Sequence, residues 1–240
     1  MNNFYKTELT ISEKECSKFG YLRYDSVLNI FQLLAISHSY EMKVDRESLI
    51  ESSNAFFVIT KMKFSVSKMP KINEQVTAIT WPIKVTSPIK FYRDYEIYLG
   101  GEVLVSGVAE WCTLDGTTRT LRKINSVKYP YELQHIERRS QVGEFTKLTQ
   151  VGEYVTDYVV ADSDIDVNGH TNNVSYVKIA LSTYLEEEFE KANFKGLEVH
   201  FNKETMLGET INIYKAKTDL GDCVYGEING KRIFAVMFEK

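Results

Sequence analysis

Residues 26–42 read SVLNIFQLLAISHSYEM. Val27, Leu28, Ile30, Phe31, Leu33, Leu34 and Ile36 make this segment apolar almost all round, which predicts a helix buried on most of its faces. Asp25 or Ser26 is the expected N-cap. The period changes on both sides of it. Downstream, residues 56–67, 75–81, 91–99 and 103–114 carry β-branched and aromatic strand signals, with a turn at Gly100-Gly101 and another at Asp115-Gly116. Upstream, a short strand leads into a glycine-containing loop, Phe19-Gly20-Tyr21-Leu22.

The same order recurs further along. Asn168-Gly169-His170-Thr171 precedes a second predicted helix, residues 173–191, with Val174, Val177, Ala180, Leu181, Tyr184 and Leu185 on one stripe. Strand signals follow at 197–203, 210–217, 223–228 and 233–238, with turns at Gly221-Asp222 and at Asn229-Gly230, the latter a strong hairpin signal. KFSVSKMPKINEQVTAIT in the first half is echoed by HFNKETMLGETINIY in the second, matching Phe64 to Phe201 and Glu74 to Glu209. Two copies at a period of roughly 140 residues indicate duplication of a whole domain. The expected division is residues 1–128, a polar linker 129–150, and residues 151–240. One central helix wrapped by a long antiparallel sheet, twice over, is an α+β architecture. Edge-to-edge union of the two sheets would also protect their edge strands.

Composition bounds the function. The chain has 240 residues, 43% of them hydrophobic, enough for a sizeable core and too many for disorder. A formal net charge of −4 provides no global field for nucleic acid or an anionic membrane. No apolar run reaches the 18 residues of a membrane span. The first residues lack the apolar core of a signal peptide and the Arg/Ser richness of a transit peptide. Three widely spaced cysteines, Cys16, Cys112 and Cys223, suit a reduced compartment better than a disulfide framework. A cytoplasmic protein is expected, and the sequon at Asn173 is then a chance match. Asp164-Ile-Asp166-Val-Asn168-Gly169 opens like an EF-hand loop, but Ser175 stands where a bidentate Glu is required. His38, His135, His170 and His200 have no metal-ligand spacing. Neither metal nor organic cofactor is expected.

The densest polar cluster is Asp162-Ser-Asp-Ile-Asp166-Val-Asn168-Gly-His170-Thr-Asn-Asn173. A polar loop capping a helix would use such residues. Here, however, carboxylate, amide and imidazole alternate at 166, 168 and 170 and lead into a helix N-terminus. Free N–H groups there can stabilise a developing oxyanion, and imidazole can move a proton near working pH.

The pattern D-x-D-V-N-G-H-T-N-N-V-x-Y, Asp164 to Tyr176, resembles the active-site segment of the plant and bacterial fatty acyl-ACP thioesterases. In the first half, Gly20-Tyr21-Leu22, Ile79-Thr80-Trp81, the Arg93 strand, Ala109-Glu110-Trp111 and Leu114-Asp115-x-x-x-Arg119 also resemble family signatures. The resemblance covers nearly the whole chain. It implies two tandem hotdog domains, with the acyl chain housed in the first and the catalytic residues in the second. It assigns catalytic roles to Asp166, Asn168 and His170, and to Glu204 on the following strand. Thr205 stands where the plant enzymes have a Cys, which puts a thiol nucleophile in doubt and implies attack by a water that Glu204 and His170 activate. Glu209, after the next turn, is a decoy carboxylate.

The implied partner is an acyl carrier protein bearing a fatty acyl chain. Carrier proteins are acidic, so docking would need a local basic patch. Lys61, Lys63, Lys68 and Lys71 form one candidate, Arg119, Arg122 and Lys123 a second, Arg138 and Arg139 a third. The sequence is also compatible with a homodimer. Two rival readings stay open: a hotdog thioesterase acting on acyl-CoA, and a non-catalytic acyl-binding regulator of hotdog type.

Overall fold

The computed structural model describes residues 3–84, 86–130, 132, 137, 140 and 142–240. In the first half, strand β1 (Tyr5–Thr10) leads to helix α1 (Tyr24–Glu41) and a short helix α2 (Arg46–Ser53). Strands β2 (Ala55–Val66), β3 (Gln75–Pro82), β4 (Phe91–Leu99), β5 (Glu102–Asp115) and β6 (Leu121–Arg122) follow. The second half runs β7 (Glu153–Val159), α3 (Asn173–Leu181), α4 (Glu186–Ala192), β8 (Gly196–Phe201), β9 (Thr210–Thr218), β10 (Gly221–Ile228) and β11 (Lys231–Glu239).

All described strands join one antiparallel sheet in the order β1-β3-β4-β5-β2-β8-β11-β10-β9-β7, with β6 beside β5. Read outward from the middle, the two halves have the same order: second strand, fifth, fourth, third, first. Duplication is thus written in the topology as well as in the sequence echoes. Glu74 accepts the Lys71 N–H at 2.8 Å, and Glu209 accepts the Met206 N–H at 2.8 Å. Gly20 and Gly169 occupy matching turns at φ +78° and +79°, a left-handed conformation that favours glycine.

The halves meet where β2 pairs with β8, from Ser65 opposite Gly196 to Lys61 opposite His200. A Cβ at position 196 would come within 2.7 Å of the Phe64 carbonyl oxygen, so glycine allows the close approach. One hydrophobic core runs across this seam and includes Phe31, Phe64 and Tyr95 from the first half with Tyr176, Val199 and Phe238 from the second. Phe31 on α1 stacks on Tyr95 with ring centroids 4.5 Å apart and meets Phe64 edge-on at 6.1 Å. Tyr24 at the start of α1 donates its hydroxyl to the Phe194 carbonyl at 2.7 Å, tying the first helix to the second half.

Three local expectations change. Residues 173–191 do not form one helix. After α3, the hydroxyls of Ser182 and Thr183 turn back onto the carbonyls of Ile179 and Ala180, both at 2.8 Å, offering the backbone an exit from the helix. Tyr184 then enters an aromatic cluster with Phe189, Phe194 and Phe238. The N-cap of α1 is Arg23, without a side-chain cap bond; Asp25 lies inside the first turn, where the Arg23 guanidinium holds it at 3.0 and 3.2 Å. The predicted turn at Gly221-Asp222 falls two residues earlier, at Asp219-Leu220, since Gly221 already pairs with Thr218.

A polar cluster stitches the outer side of the seam. Lys63 Nζ lies 3.1 Å from Glu198 and 2.7 Å from Glu239. Glu198 also accepts His200 Nε2 at 2.7 Å and the Thr146 N–H at 2.8 Å. Burial pushes the Glu198 carboxyl upward, but the His200 bond and the Lys63 charge outweigh it and hold its pKa below the ordinary range. Lys63→Met is expected to cost about 3 kcal/mol, because buried Glu198 loses the Lys63 charge and keeps only the His200 and Thr146 bonds. A carboxyl with a lowered folded pKa contributes stability above its unfolded pKa and loses it as the pH falls. The gap between wild type and variant in urea unfolding should therefore shrink toward acid pH.

Candidate active site

The second glycine turn holds the polar cluster. Asp166 N–H donates to the His170 carbonyl at 2.8 Å, and Gly169 N–H to the Asp166 carbonyl at 3.0 Å. The Asp166 carboxylate fills the turn: Oδ1 accepts the N–H of Asn168 at 2.8 Å and of His170 at 3.3 Å, while Oδ2 accepts Asn168 Nδ2 at 3.1 Å. The first half builds the same turn, with Ser17 N–H on the Tyr21 carbonyl at 2.8 Å and Gly20 N–H on the Ser17 carbonyl at 2.9 Å. There the positions equivalent to Asp166, Asn168 and His170 are Ser17, Phe19 and Tyr21. The backbone is duplicated; the acid, amide and imidazole are present only in the second copy.

Glu204 reaches this turn from the loop beyond β8, because the strand expected to carry it ends at Phe201. His170 Nε2 lies 3.4 Å from Glu204 Oε2, and the same oxygen accepts Arg119 Nη2 at 2.5 Å. The neighbouring Thr205 faces away from this chemistry. It is fully buried, its hydroxyl lies 2.7 Å from the Thr171 hydroxyl and 2.9 Å from the Tyr176 hydroxyl, and its N–H donates to Tyr176 at 3.1 Å. Thr205 therefore locks the loop after β8 to the start of α3. Glu209 is spent on the Met206 N–H.

At the start of α3, Asn172 is the N-cap, its Oδ1 accepting the Val174 N–H at 2.9 Å, and its carbonyl takes the Ser175 N–H at 2.9 Å. That leaves the Asn173 N–H without a partner among the described residues, narrowing the expected set of free donors to one. Asp164 points elsewhere: it accepts the Tyr158 hydroxyl at 2.7 Å and the Ala161 N–H at 3.0 Å. Its role is to build the strand-to-turn corner. Among the described residues no group of three His, Cys, Asp or Glu is arranged to hold a metal ion.

Asp166, Asn168, His170, Asn173 and Glu204 line one end of a cavity of about 910 Å³. Its other walls come from the first half, including Leu33, Ile36 and Tyr40 of α1, Phe56 to Ile59 of β2, and Trp111. The helix that the sequence presents as buried nearly all round thus keeps one apolar stripe, Leu33, Ile36 and Tyr40, exposed. The cavity is bounded by Val58 to Thr60 and by Phe201 to Glu204, immediately beyond the last β2–β8 pair at Lys61 and His200.

Two of the three basic patches have members engaged within the fold. Lys63 is buried in the seam, and Arg119 is engaged with Glu204. Arg122 donates to the Ser53 carbonyl at 2.6 Å and the Ser126 carbonyl at 2.9 Å, so it braces the fold. Arg138 and Arg139, like His135, lie outside the described residues. Lys68 and Lys71 remain exposed. The cysteines are unpaired, and burial pushes the Cys112 and Cys223 thiols up to about 11, far from thiolate character.

Two helix-on-sheet repeats sharing one sheet, with an Asp-x-Asn-x-His turn at the second helix, define a tandem hotdog protein. Residues 2–128 match the family model for the acyl-ACP thioesterase N-terminal domain, and residues 149–231 the model for its C-terminal domain. The chain belongs to the acyl-ACP thioesterase family. It is 24% identical over 193 residues to an acyl-[acyl-carrier-protein] hydrolase of Cuphea viscosissima, covering 75% of this chain and 47% of that protein. It is 28% identical over 180 residues to the palmitoyl-acyl carrier protein thioesterase of Arabidopsis thaliana, covering 70% and 43%. The chain thus spans somewhat under half the length of these two relatives, both chloroplastic. Its fold matches the acyl-ACP thioesterase of Bacteroides thetaiotaomicron with a TM-score of 0.91 at 16% identity, over 99% of this chain and 97% of the other. The 12:0-ACP thioesterase of Umbellularia californica matches with 0.85 at 16% identity, over 100% and 97%. Among the described residues no helix is long and apolar enough to cross a membrane.

Thr205 tests the reading of the site. Thr205→Ala removes one hydrogen bond each from the hydroxyls of Thr171 and Tyr176, which keep the Thr205 carbonyl and the Thr205 N–H as backbone partners, and should cost about 0.5–1.5 kcal/mol of stability. Its kcat should fall less than about tenfold, on the scale where 1.36 kcal/mol is one decade. A stably folded but inactive Thr205→Ala protein, by thermal melting and steady-state assay, would make the hydroxyl a nucleophile instead.

Proposed function

We propose that this chain hydrolyses the thioester of fatty acyl-acyl carrier protein, releasing a free fatty acid and ending chain elongation. The observation that carries this reading is the convergence of Glu204, His170 and the N-terminus of α3 at one end of the apolar cavity. A thioester is already an activated acyl group, so a positioned base and an oxyanion donor suffice. No metal, organic cofactor or thiol is called for.

In this mechanism Glu204, with His170 beside it, takes a proton from a water molecule as the water oxygen attacks the carbonyl carbon. The negative charge that develops on the carbonyl oxygen is met by the Asn173 N–H, whose helix-terminal position favours an anion. As the tetrahedral intermediate collapses, the C–S bond breaks and the carrier thiolate receives the proton. Asp166 takes no part in the proton transfer; it fixes the turn that presents His170 and Asn168, and Asn168 orients the substrate. In this division, residues 1–128 house the acyl chain, 129–150 connect, and 151–240 carry the chemistry. Leu33, Ile36 and Tyr40 would line the chain's path along α1. The three unpaired, reduced cysteines fit a cytoplasmic setting.

A panel of acyl-ACP and acyl-CoA substrates from short to long chains tests the substrate class: preference for the carrier-linked series is expected. Hydrolysis of the CoA series alone would move the assignment to an acyl-CoA thioesterase, and binding without turnover to a regulator. Glu204→Gln should lower kcat roughly 10²–10⁴-fold, the usual scale of general-base catalysis, with a smaller change in KM. His170→Ala should resemble it, and the double variant should be little worse than either single one, as for groups acting as one unit. Full activity in Glu204→Gln would remove Glu204 from the mechanism.

A further inference from the structure

Every residue so far given a part in the chemistry lies in the second half, yet the shortest contact that Glu204 makes comes from the first. Arg119 Nη2 donates to Glu204 Oε2 at 2.5 Å, and that oxygen is also the one 3.4 Å from His170 Nε2. No described group bonds the other oxygen, Oε1.

Arg119 is presented by a built turn. Asp115 Oδ1 accepts the N–H of Thr117 at 3.0 Å, the N–H of Thr118 at 2.9 Å and the Thr118 hydroxyl at 3.1 Å. These bonds, led by the Thr118 N–H, hold the Asp115 carboxyl below its ordinary pKa. The Arg119 N–H returns to the Asp115 carbonyl at 3.0 Å. Helix α2 supports the turn from behind, with the Gly116 N–H on the Asn54 carbonyl at 2.8 Å and Asn54 Nδ2 on the Thr117 hydroxyl at 3.2 Å. Arg119 itself sits at φ +55°, a left-handed conformation that residues with a Cβ rarely adopt. Its guanidinium stands 5.5 Å from the Phe56 ring centroid. Such strained residues persist where the surroundings over-determine them, and they cluster at functional sites. The Leu114-Asp115-x-x-x-Arg119 motif thus has a physical content: Asp115 folds the turn and Arg119 is what the turn delivers.

We propose that Arg119 is a positioning residue for Glu204. It anchors Oε2 beside His170 and so leaves Oε1 as the oxygen that takes the proton from water. The two side chains are 44% and 46% exposed, and an ion pair at that exposure contributes little to stability. Its consequence is therefore geometric, and it makes the base depend on the half of the chain that holds the acyl chain. The inference rests on the hydrolytic reading of Glu204 and replaces the sequence-based expectation that Arg119 docks the carrier.

The test compares Arg119→Gln and Arg119→Lys on acyl-ACP and on a carrier-free acyl thioester of N-acetylcysteamine, with melting temperatures measured for each. Displacing a catalytic group by about 1 Å can cost up to roughly 10²-fold, so Arg119→Gln should lower kcat by roughly 10–10²-fold on both substrates with KM little changed. Arg119→Lys should recover part of the loss, and Arg119→Gln should add nothing in a Glu204→Gln background. A raised KM for acyl-ACP alone, with the carrier-free substrate unaffected, would make Arg119 a docking residue and overturn the proposal. A kcat loss that follows a lowered melting temperature and is not rescued by lysine would overturn it as a folding effect. If Glu204→Gln is itself fully active, the parent reading fails whatever Arg119 does, and the two failures are told apart.

Discussion

The pairing of β2 with β8 is the constraint on which the rest of this structure depends. Either half alone would leave its second strand as an open edge and its core cut through at Phe64 and Val199. Joining the two edges gives one sheet and one core. The seam also decides where the cavity lies. Pairing stops at Lys61 and His200, and beyond that point Val58 to Thr60 and Phe201 to Glu204 both line the cavity. A longer β2–β8 ladder would close the space that a substrate needs. The buried Lys63–Glu198 pair stands next to the end of the pairing and holds the strands together up to it.

Duplication supplied two copies of a scaffold, and only one carries a reactive set. The turns at Gly20 and Gly169 share their hydrogen bonds and their left-handed glycine. With Ser17, Phe19 and Tyr21 in the first copy, that turn has neither a carboxylate to order it nor an imidazole to move a proton. Freed from that role, the first half has a helix of 18 residues where the second has one of nine, and its extra turns carry Ile36 and Tyr40 along the cavity. The longer helix and the reactive turn sit on opposite sides of one seam. An extended apolar group lying along α1 would bring its end to His170 and Glu204.

The period-2 and period-3.6 patterns revealed the repeat, the long strands and α1, because those elements bury continuous stripes that composition alone betrays. The cluster at 166, 168 and 170 was legible for a related reason: its three polar types are costly to place together without a use. What sequence did not show depended on contacts between distant segments. The break after α3 is set by the hydroxyls of Ser182 and Thr183 and by the pull of the aromatic cluster on Tyr184, and the apolar stripe runs through it unaltered. Helix α2 is absent from the sequence reading, although Asp45, whose side chain caps it by accepting the Ser48 N–H, is a usable signal. Arg119 read as one cation of a surface patch, since nothing local to residues 115–119 says that Glu204 stands opposite. Leu33 and Ile36 read as part of a helix buried on most of its faces for the same reason.

Thr205 shows how the chemistry and the fold separate within one loop. Glu204 and Thr205 are adjacent in the loop that follows β8, yet their side chains have opposite surroundings. One emerges into the cavity beside His170; the other is buried and joins the hydroxyls of Thr171 and Tyr176. That buried triad fixes the loop after β8 against the first turn of α3, which sets how far Glu204 can stand from His170. A hydroxyl committed to two partners inside the protein is a poor nucleophile, yet it is well placed to hold the loop rigid. The distance of 3.4 Å between His170 and Glu204 is then a property of both neighbours: Thr205 fixes the backbone from within, and Arg119 holds the carboxylate from the other half of the chain.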